Sequence, residues 1–322
     1  MKSSQSAVIL VAGPTASGKS ALAAALAKAL HGVVINADAM QVYRGLPVLT
    51  AQPDASLRAL APHQLYETVE PATPFSAGQW LSAAQNCLAG ADAAGQISIF
   101  TGGTGLYFQV LLQGIAAIPT ISETLRTELR QEYQDLGEAA IRQRLAAHDA
   151  EAATRIFPGD QLRLLRALEI VLTTGRTQRD WQTNTTGGLL GQRSVIPLLL
   201  LPPRAALYAA CDRRFAQMGE KGAITEVKSL MAQGLSAEHP AMKIIGLREL
   251  TAYVSGAISW DEAQGTAQQA TRNYAKRQLT WFRNQWQNNK VGFVTPSQTF
   301  HDFYQPEHLS KILAAYQLKE TS

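Results

Sequence analysis

The sequence predicts an α/β protein, a parallel sheet flanked by helices and interrupted by an all-helical insertion. Three observations predict it. Short apolar runs at 7–12, 33–37 and 96–100 are separated by helix-forming stretches. Each run ends in a polar or glycine-containing segment, the first of them GPTASGKS. From about 118 to 190 the chain turns instead to charged, helix-forming sequence such as ISETLRTELRQEYQDLGEAAIRQRL and QLRLLRALEIVLTTG.

Taken in order, 7–12 is the first strand, a glycine-rich turn follows, and the Ala/Leu-rich stretch 20–30 has strong helix propensity. Segments 33–37 and 96–100 read as further buried strands. The sheet resumes at VIPLLLLPP (195–203), helices fill 208–287, and VGFVTP (291–296) is the last candidate strand. The catalytic core is therefore expected to be discontinuous, 1–117 with 191–322, around a helical insertion at 118–190. Ligands of such sheets bind beyond the carboxyl ends of the strands, where the segments after Ala12, Ala37 and Phe100 converge.

With 322 residues and 46% hydrophobic content, the chain can bury a large core, which excludes a disordered tail protein. A formal charge of +4 tolerates a polyanionic partner without demanding one, so the local distribution of charge carries more weight. Cys87 and Cys211 lie far apart in sequence and outside metal-ligand spacing, which argues against a disulfide framework or structural zinc and fits a reducing compartment. No segment reaches the roughly 18 uninterrupted apolar residues of a membrane span. A cytoplasmic protein without membrane contact is expected.

Gly13, Pro14, Thr15, Ala16, Ser17, Gly18, Lys19 and Ser20 fit the GxxxxGK[ST] phosphate-binding pattern of P-loop NTPase-like sheets, after a strand and before a helix. The glycines let the backbone wrap a phosphate. Successive N–H groups and the helix N-terminus stabilise its charge, Lys19 adds a cation, and the Ser20 hydroxyl can ligate Mg²⁺. The motif leaves open whether the phosphate belongs to ATP, GTP or another diphosphate. A kinase or ATPase would also need an Asp at the end of an apolar strand, a place Asp38 could take.

Six blocks extend the pattern: GPTASGKS, DAMQVYRGLPVLTAQP, GGTGLY, DQLRLLRALEI, IIGLREL and TRNYAKRQLTWFR, in this order over 13–283. Together they closely resemble the bacterial tRNA dimethylallyltransferase family. The resemblance implies transfer of a dimethylallyl group from dimethylallyl diphosphate to N6 of the adenosine 3′ of the anticodon. The phosphate loop then holds a leaving group, whose developing charge N–H donors, Lys19 and Mg²⁺ stabilise. Asp38 matches the family's catalytic aspartate and would take the proton from a poorly nucleophilic amine. Thr104 matches a residue near that amine, a role competing with that of a turn hydroxyl capping the next helix. Arg214 matches an arginine facing the diphosphate, competing with a place on a solvated helix face.

Between Thr271 and Lys290 stand five cations, Arg272, Lys276, Arg277, Arg283 and Lys290, and no acids, with Tyr274, Trp281, Phe282 and Trp286 among them. On a helix Arg272, Lys276 and Arg283 share one face and Tyr274, Arg277 and Trp281 another, so phosphate contact and core packing can be divided between the faces. Arg163 and Arg166 lie three apart beside Asp160, with Leu162, Leu165 and Leu168 on the core-facing side. The resemblance places these cations, with Arg126 and Arg248, against the tRNA anticodon stem-loop. A base extruded from that loop would meet Asp38, Ala39, Met40, Gln41 and Thr104. A monomer is expected.

Three positions depart from the family pattern. Ala39 stands where the family usually has Ser, Leu247 where it has Tyr, and Ala210 where it has a second Arg. Rival readings are an adenylate isopentenyltransferase acting on free AMP or ADP, a P-loop nucleotide kinase or ATPase, and a non-catalytic RNA-binding module. The first needs neither the helical insertion nor the basic 271–290 block. The second has no need of GGTGLY, and the third leaves a complete phosphate loop with a strand-end Asp unexplained.

Overall fold

The structure, a computed structural model, describes residues 7–183, 185, 187–191, 193–287, 298–300 and 304–320. The chain divides into two compact units, one of 1–112 with 189–322 and one of 113–188. The second unit opens and closes through a shared seam, the antiparallel bridge between Ala116 and Thr185. Gly114, at φ +83°, approaches so closely that an added Cβ would stand 2.2 Å from the Gly187 carbonyl oxygen. This seam sets the ends of the insertion a few residues away from the 118–190 read from composition.

Among the described residues the first unit is built on six strands, β1 (Val8–Ala12), β2 (Val33–Asn36), β3 (His63–Gln64), β4 (Ser98–Gly102), β5 (Val195–Leu200) and β6 (Gln298–Phe300). They form one sheet in the order β3-β2-β4-β1-β5-β6, every neighbour parallel. The helices α1 (Lys19–Ala29), α2 (Ala55–Arg58), α3 (Ala77–Ala93) and α4 (Gly105–Gln113) belong to the first half of the chain. The insertion carries α5 (Glu123–Ala146), α6 (Ala150–Arg155), α7 (Gln161–Thr174) and α8 (Gln178–Gln182). The remainder is α9 (Arg204–Glu220), α10 (Ala223–Met231), α11 (Leu247–Val254), α12 (Trp260–Trp281) and α13 (Pro306–Glu320). A π-helical turn, Phe282–Gln287, continues α12.

Alternation along β1 explains the layering. Val8, Leu10 and Ala12 face a core shared with α3, α4 and α12 through Trp80, Phe108 and Leu279. Ile9 and Val11 face the opposite core, made with α1 and α13 through Leu22, Leu26 and Ile312. Both faces are covered, so the strands read as continuous apolar runs.

The structure departs from expectation at two strands, and a third lies outside the described residues. The third expected strand runs two residues later, because β4 pairs in register with β1 as far as Ala12 opposite Gly102. Strand β3 was not expected, since its two half-buried polar residues offer no apolar run. The candidate strand at 291–296 lies outside the described residues, and the edge strand beside β5 is β6. No helix among the described residues is long and apolar enough to cross a membrane.

The second unit has its own core, Leu129, Ile141, Leu145, Leu164, Leu165 and Leu168 among others. Asp160 caps α7, its carboxylate accepting from Arg163 N at 3.2 Å. Leu165 and Leu168 are buried as expected, but Leu162 is not: it stands 64% exposed, and Leu164 takes the inward place. A core-facing stripe spaced by three drifts off the helix face, because 3.6 residues make a turn.

Candidate active site

The phosphate loop joins β1 to α1. Gly13 must be glycine, because an added Cβ would lie 2.5 Å from the Leu200 carbonyl oxygen of β5. Ala16, at φ +62°, occupies the left-handed region without being glycine, so the turn is held by its surroundings. Helix α1 starts at Gly18 with no side-chain cap, leaving its first N–H groups for an anion. The Lys19 ammonium folds back to donate to the Pro14 carbonyl at 2.7 Å.

Asp38 follows β2 and is positioned by its predecessor. The Asn36 side chain accepts from Asp38 N at 2.8 Å and donates to the carbonyls of Asp38 at 2.9 Å and Leu65 at 3.0 Å. Trp80, stacked on Tyr107 at 4.2 Å, donates its indole N–H to the Asn36 carbonyl at 2.8 Å. Oδ1 of Asp38 accepts from Met40 N at 2.9 Å, which leaves Oδ2 outside that bond. Thr104, after β4, accepts from Ala39 N at 3.0 Å through Oγ1. The hydroxyl therefore ties the GGTG turn to the Asp38 turn. Gly102 allows this approach, since an added Cβ there would stand 2.0 Å from the Ala37 carbonyl oxygen.

These segments line a cavity of about 450 Å³. Its polar wall carries residues 15–20, Asp38 and Arg214, whose Nη2 donates to Thr15 Oγ1 at 2.6 Å. Its apolar wall includes Leu49, Leu57, Phe215, Met218 and Ile244. Ser17 Oγ, Thr101 Oγ1 and Arg214 Nε are buried without a protein partner, and all three residues line this cavity. Buried polar atoms are normally satisfied, so the wall is built for a ligand that supplies acceptors and donors. Burial pushes the Lys19 ammonium from 10.5 down to about 8, with the Asp38 charge opposing and Arg214 assisting. The two cations are thus close neighbours, as a polyphosphate requires.

Sequence reasoning missed two residues here. Tyr274 lines the cavity rather than the core, beside Thr104. Burial first, and then the Asp38 charge, raise its phenol, which stays neutral. Gln278, one turn further along α12, is buried and bridges two loops. Its Oε1 accepts from Thr15 N at 2.8 Å and its Nε2 donates to the Gly103 carbonyl at 2.8 Å. The available signal was a Gln at a core-facing position, between Ala275 and Leu279. Gln278→Leu is expected to lower stability by about 2 kcal/mol, because it orphans a buried donor and a buried acceptor. Urea unfolding would read this, and a rise in KM for the diphosphate substrate would accompany it.

The expected RNA-facing cations divide by environment. Lys276, Arg277 and Arg283 are exposed, Arg277 lying over the Tyr274 ring at 5.7 Å. Arg272 instead makes a two-oxygen contact with Asp212 at 2.7 Å, tying α12 to α9. Arg248 is exposed beside Glu249 at 3.0 Å. In the second unit Arg126 and Arg166 share the buried Glu169, at 3.9 and 3.2 Å, whereas Arg163 is 81% exposed. Lys290 lies outside the described residues. Ala210 lines the cavity, and Leu247 is buried, so its change affects the core beside Phe215 rather than an exposed surface.

The family model for IPP transferases matches residues 41–285. The chain belongs to the IPP transferase family. Among curated relatives, the tRNA dimethylallyltransferase of Rhodospirillum centenum is 48% identical over 86% of this chain and 88% of its own length. That of a Caulobacter species is 46% identical over 93% and 97%. Among solved structures, a full-length tRNA isopentenylpyrophosphate transferase from Bacillus halodurans aligns with a TM-score of 0.66 at 31% identity, covering 98% of this chain and 97% of that one. A eukaryotic dimethylallyltransferase acting on tRNA aligns with a TM-score of 0.73 at 26% identity, over 86% and 70%. For an IPP transferase the composition of the cavity is coherent: cations and N–H groups at one wall, aliphatic and aromatic side chains at another, and a carboxylate between loops.

Proposed function

We propose that this chain transfers a dimethylallyl group from dimethylallyl diphosphate to N6 of the adenosine 3′ of the tRNA anticodon. The observation that carries the reading is a single cavity lined both by residues 15–20 of the phosphate loop and by the strand-end carboxylate of Asp38, beside an apolar wall. The diphosphate sits on the N–H groups of residues 16–20 with Lys19 and Arg214, and the five-carbon chain lies against the apolar wall. The C1–O bond breaks, the N6–C1 bond forms, the amine proton passes to Asp38 Oδ2, and diphosphate departs. The Thr104 and Tyr274 hydroxyls orient the adenine by hydrogen bonds.

Mg²⁺ fits the same wall. The hydroxyls of Ser20 and Thr101 line the cavity and Thr101 Oγ1 has no protein partner. Among the described residues no cluster of His, Cys, Asp or Glu could hold a metal alone, so the ion would be held by diphosphate oxygens, water and these hydroxyls. When bound it neutralises charge on the leaving diphosphate.

The acceptor is the anticodon stem-loop of tRNA rather than a free nucleotide, engaged by a monomer through Lys276, Arg277, Arg283 and the insertion cations. Support comes from the exposed basic side of α12 and from a second unit that a small acceptor has no need of. The test is incubation with labelled dimethylallyl diphosphate, Mg²⁺ and either unmodified tRNA or AMP. Label in tRNA alone is expected. Label in AMP alone would move the protein to the small-acceptor class, and ATP consumption without label transfer would make it a nucleotide enzyme.

A further inference from the structure

Among the described residues, the two most exposed large apolar side chains are Phe157, at 82%, and Leu162, at 64%. Phe157 lies in the turn between α6 and α7, and Leu162 in the first turn of α7, in the second unit. We propose that this turn is an RNA-reading element in which the Phe157 ring stacks on an unpaired base of the tRNA loop. The proposal rests on the reading that tRNA is the acceptor.

The exposure is built, not incidental. Arg142 of α5 donates to the carbonyls of Ala153, Ile156 and Phe157 and pairs with Glu138. Glu138 in turn accepts from Gly159 N at 2.8 Å, and Asp160 N closes the turn on the Phe157 carbonyl at 3.1 Å. Two charged side chains thus hold the backbone of 153–159 while the aromatic ring points to solvent. A backbone ordered in this way has already lost part of the conformational freedom that binding would cost.

Its surroundings select the partner. Arg155 is exposed, and Arg163, 81% exposed, has only a surface contact with Asp160 at 3.3 Å. An isolated aromatic flanked by arginines matches a splayed single-stranded loop, whose bases offer faces to stack on and whose phosphates attract guanidinium groups. One Phe and one Leu offer far less than the roughly 1,200 Å² of a stable protein interface.

Phe157→Ala is expected to raise KM for unmodified tRNA roughly ten-fold, within the range of a lost base stack, with kcat and the KM for dimethylallyl diphosphate unchanged. Phe157→Tyr should restore the wild-type value, and Phe157→Leu should not. In an anticodon stem-loop carrying 2-aminopurine at loop positions, wild-type protein should quench one position that Phe157→Ala leaves bright. An unchanged KM, full rescue by Leu, or identical fluorescence would overturn the proposal. So would sedimentation in which wild-type protein is dimeric and Phe157→Ala monomeric, since the ring would then serve a second copy. Wild-type protein that neither binds nor modifies tRNA would remove the functional reading as well, whereas wild-type turnover with an indifferent Phe157→Ala would remove this inference alone.

Discussion

Asp38→Asn is expected to lower kcat with tRNA by at least about 100-fold while leaving tRNA affinity within about two-fold. The variant separates chemistry from structure. An Asn oxygen can still accept from Met40 N, and the Asn36 and Trp80 contacts that place residue 38 involve backbone atoms of the 36–38 segment. What disappears is the basicity of Oδ2. Single-turnover kinetics, with enzyme in excess over tRNA, would measure the loss free of product release. A rate within three-fold of wild type would take Asp38 out of the proton transfer and leave the amine to react without a base.

Lys19→Met should act on two properties in opposite directions. Turnover should fall by about 10²–10³-fold, the scale of losing one preorganised donor to a developing oxyanion. Stability should rise by about 1–2 kcal/mol. The displacement from 10.5 to about 8 corresponds to at most about 3 kcal/mol, reduced by solvent reaching the cavity and by loss of the bond to the Pro14 carbonyl.

The pH dependence has a definite sign. The folded pKa lies below the unfolded one, so the cost of the buried ammonium is fully present below pH 8. It is relieved between about 8 and 10.5, where the folded state sheds the proton that the unfolded state keeps. The gain from Lys19→Met should therefore be largest below pH 8 and shrink above it. In the same window the free wild-type protein loses the cation that receives the diphosphate, so the KM for dimethylallyl diphosphate should climb. Urea titrations and donor KM values at pH 7, 8 and 9 would check both. A variant no more stable than wild type at pH 7 would show that Lys19 carries no desolvation cost.

The phosphate loop was legible because its constraints are local: two glycines, a lysine and a hydroxyl must stand at set offsets between a strand and a helix. Asp38 was legible because it follows a buried strand and parallel sheets gather their strand ends on one side, whereas Thr104 was named by the family resemblance. Gln278 was not, since its bonds join positions 263 and 175 residues away in the chain. Tyr274 was assigned to the core because aromatic residues on amphipathic helices usually pack there. Whether its ring would face a cavity instead depends on what α9 and the GGTG turn leave open. Leu162 was misplaced for a related reason. Spacing along α7 was read without knowing which arc of the helix its neighbours cover, and the arc is set by α5 packing against it.

By itself, then, the sequence determined the α/β class, the phosphate loop, the strand-end carboxylate and the charge of α12, because each follows from residue type, periodicity or short-range spacing. Tertiary structure alone decided which of those charges remain exposed and which, like Arg272 on Asp212, are tied to a neighbouring helix. It also decided that a glutamine bridges two loops and that a phenylalanine stands in solvent. Pairing and burial depend on contacts between segments distant in the chain, and only packing the core brings those segments together.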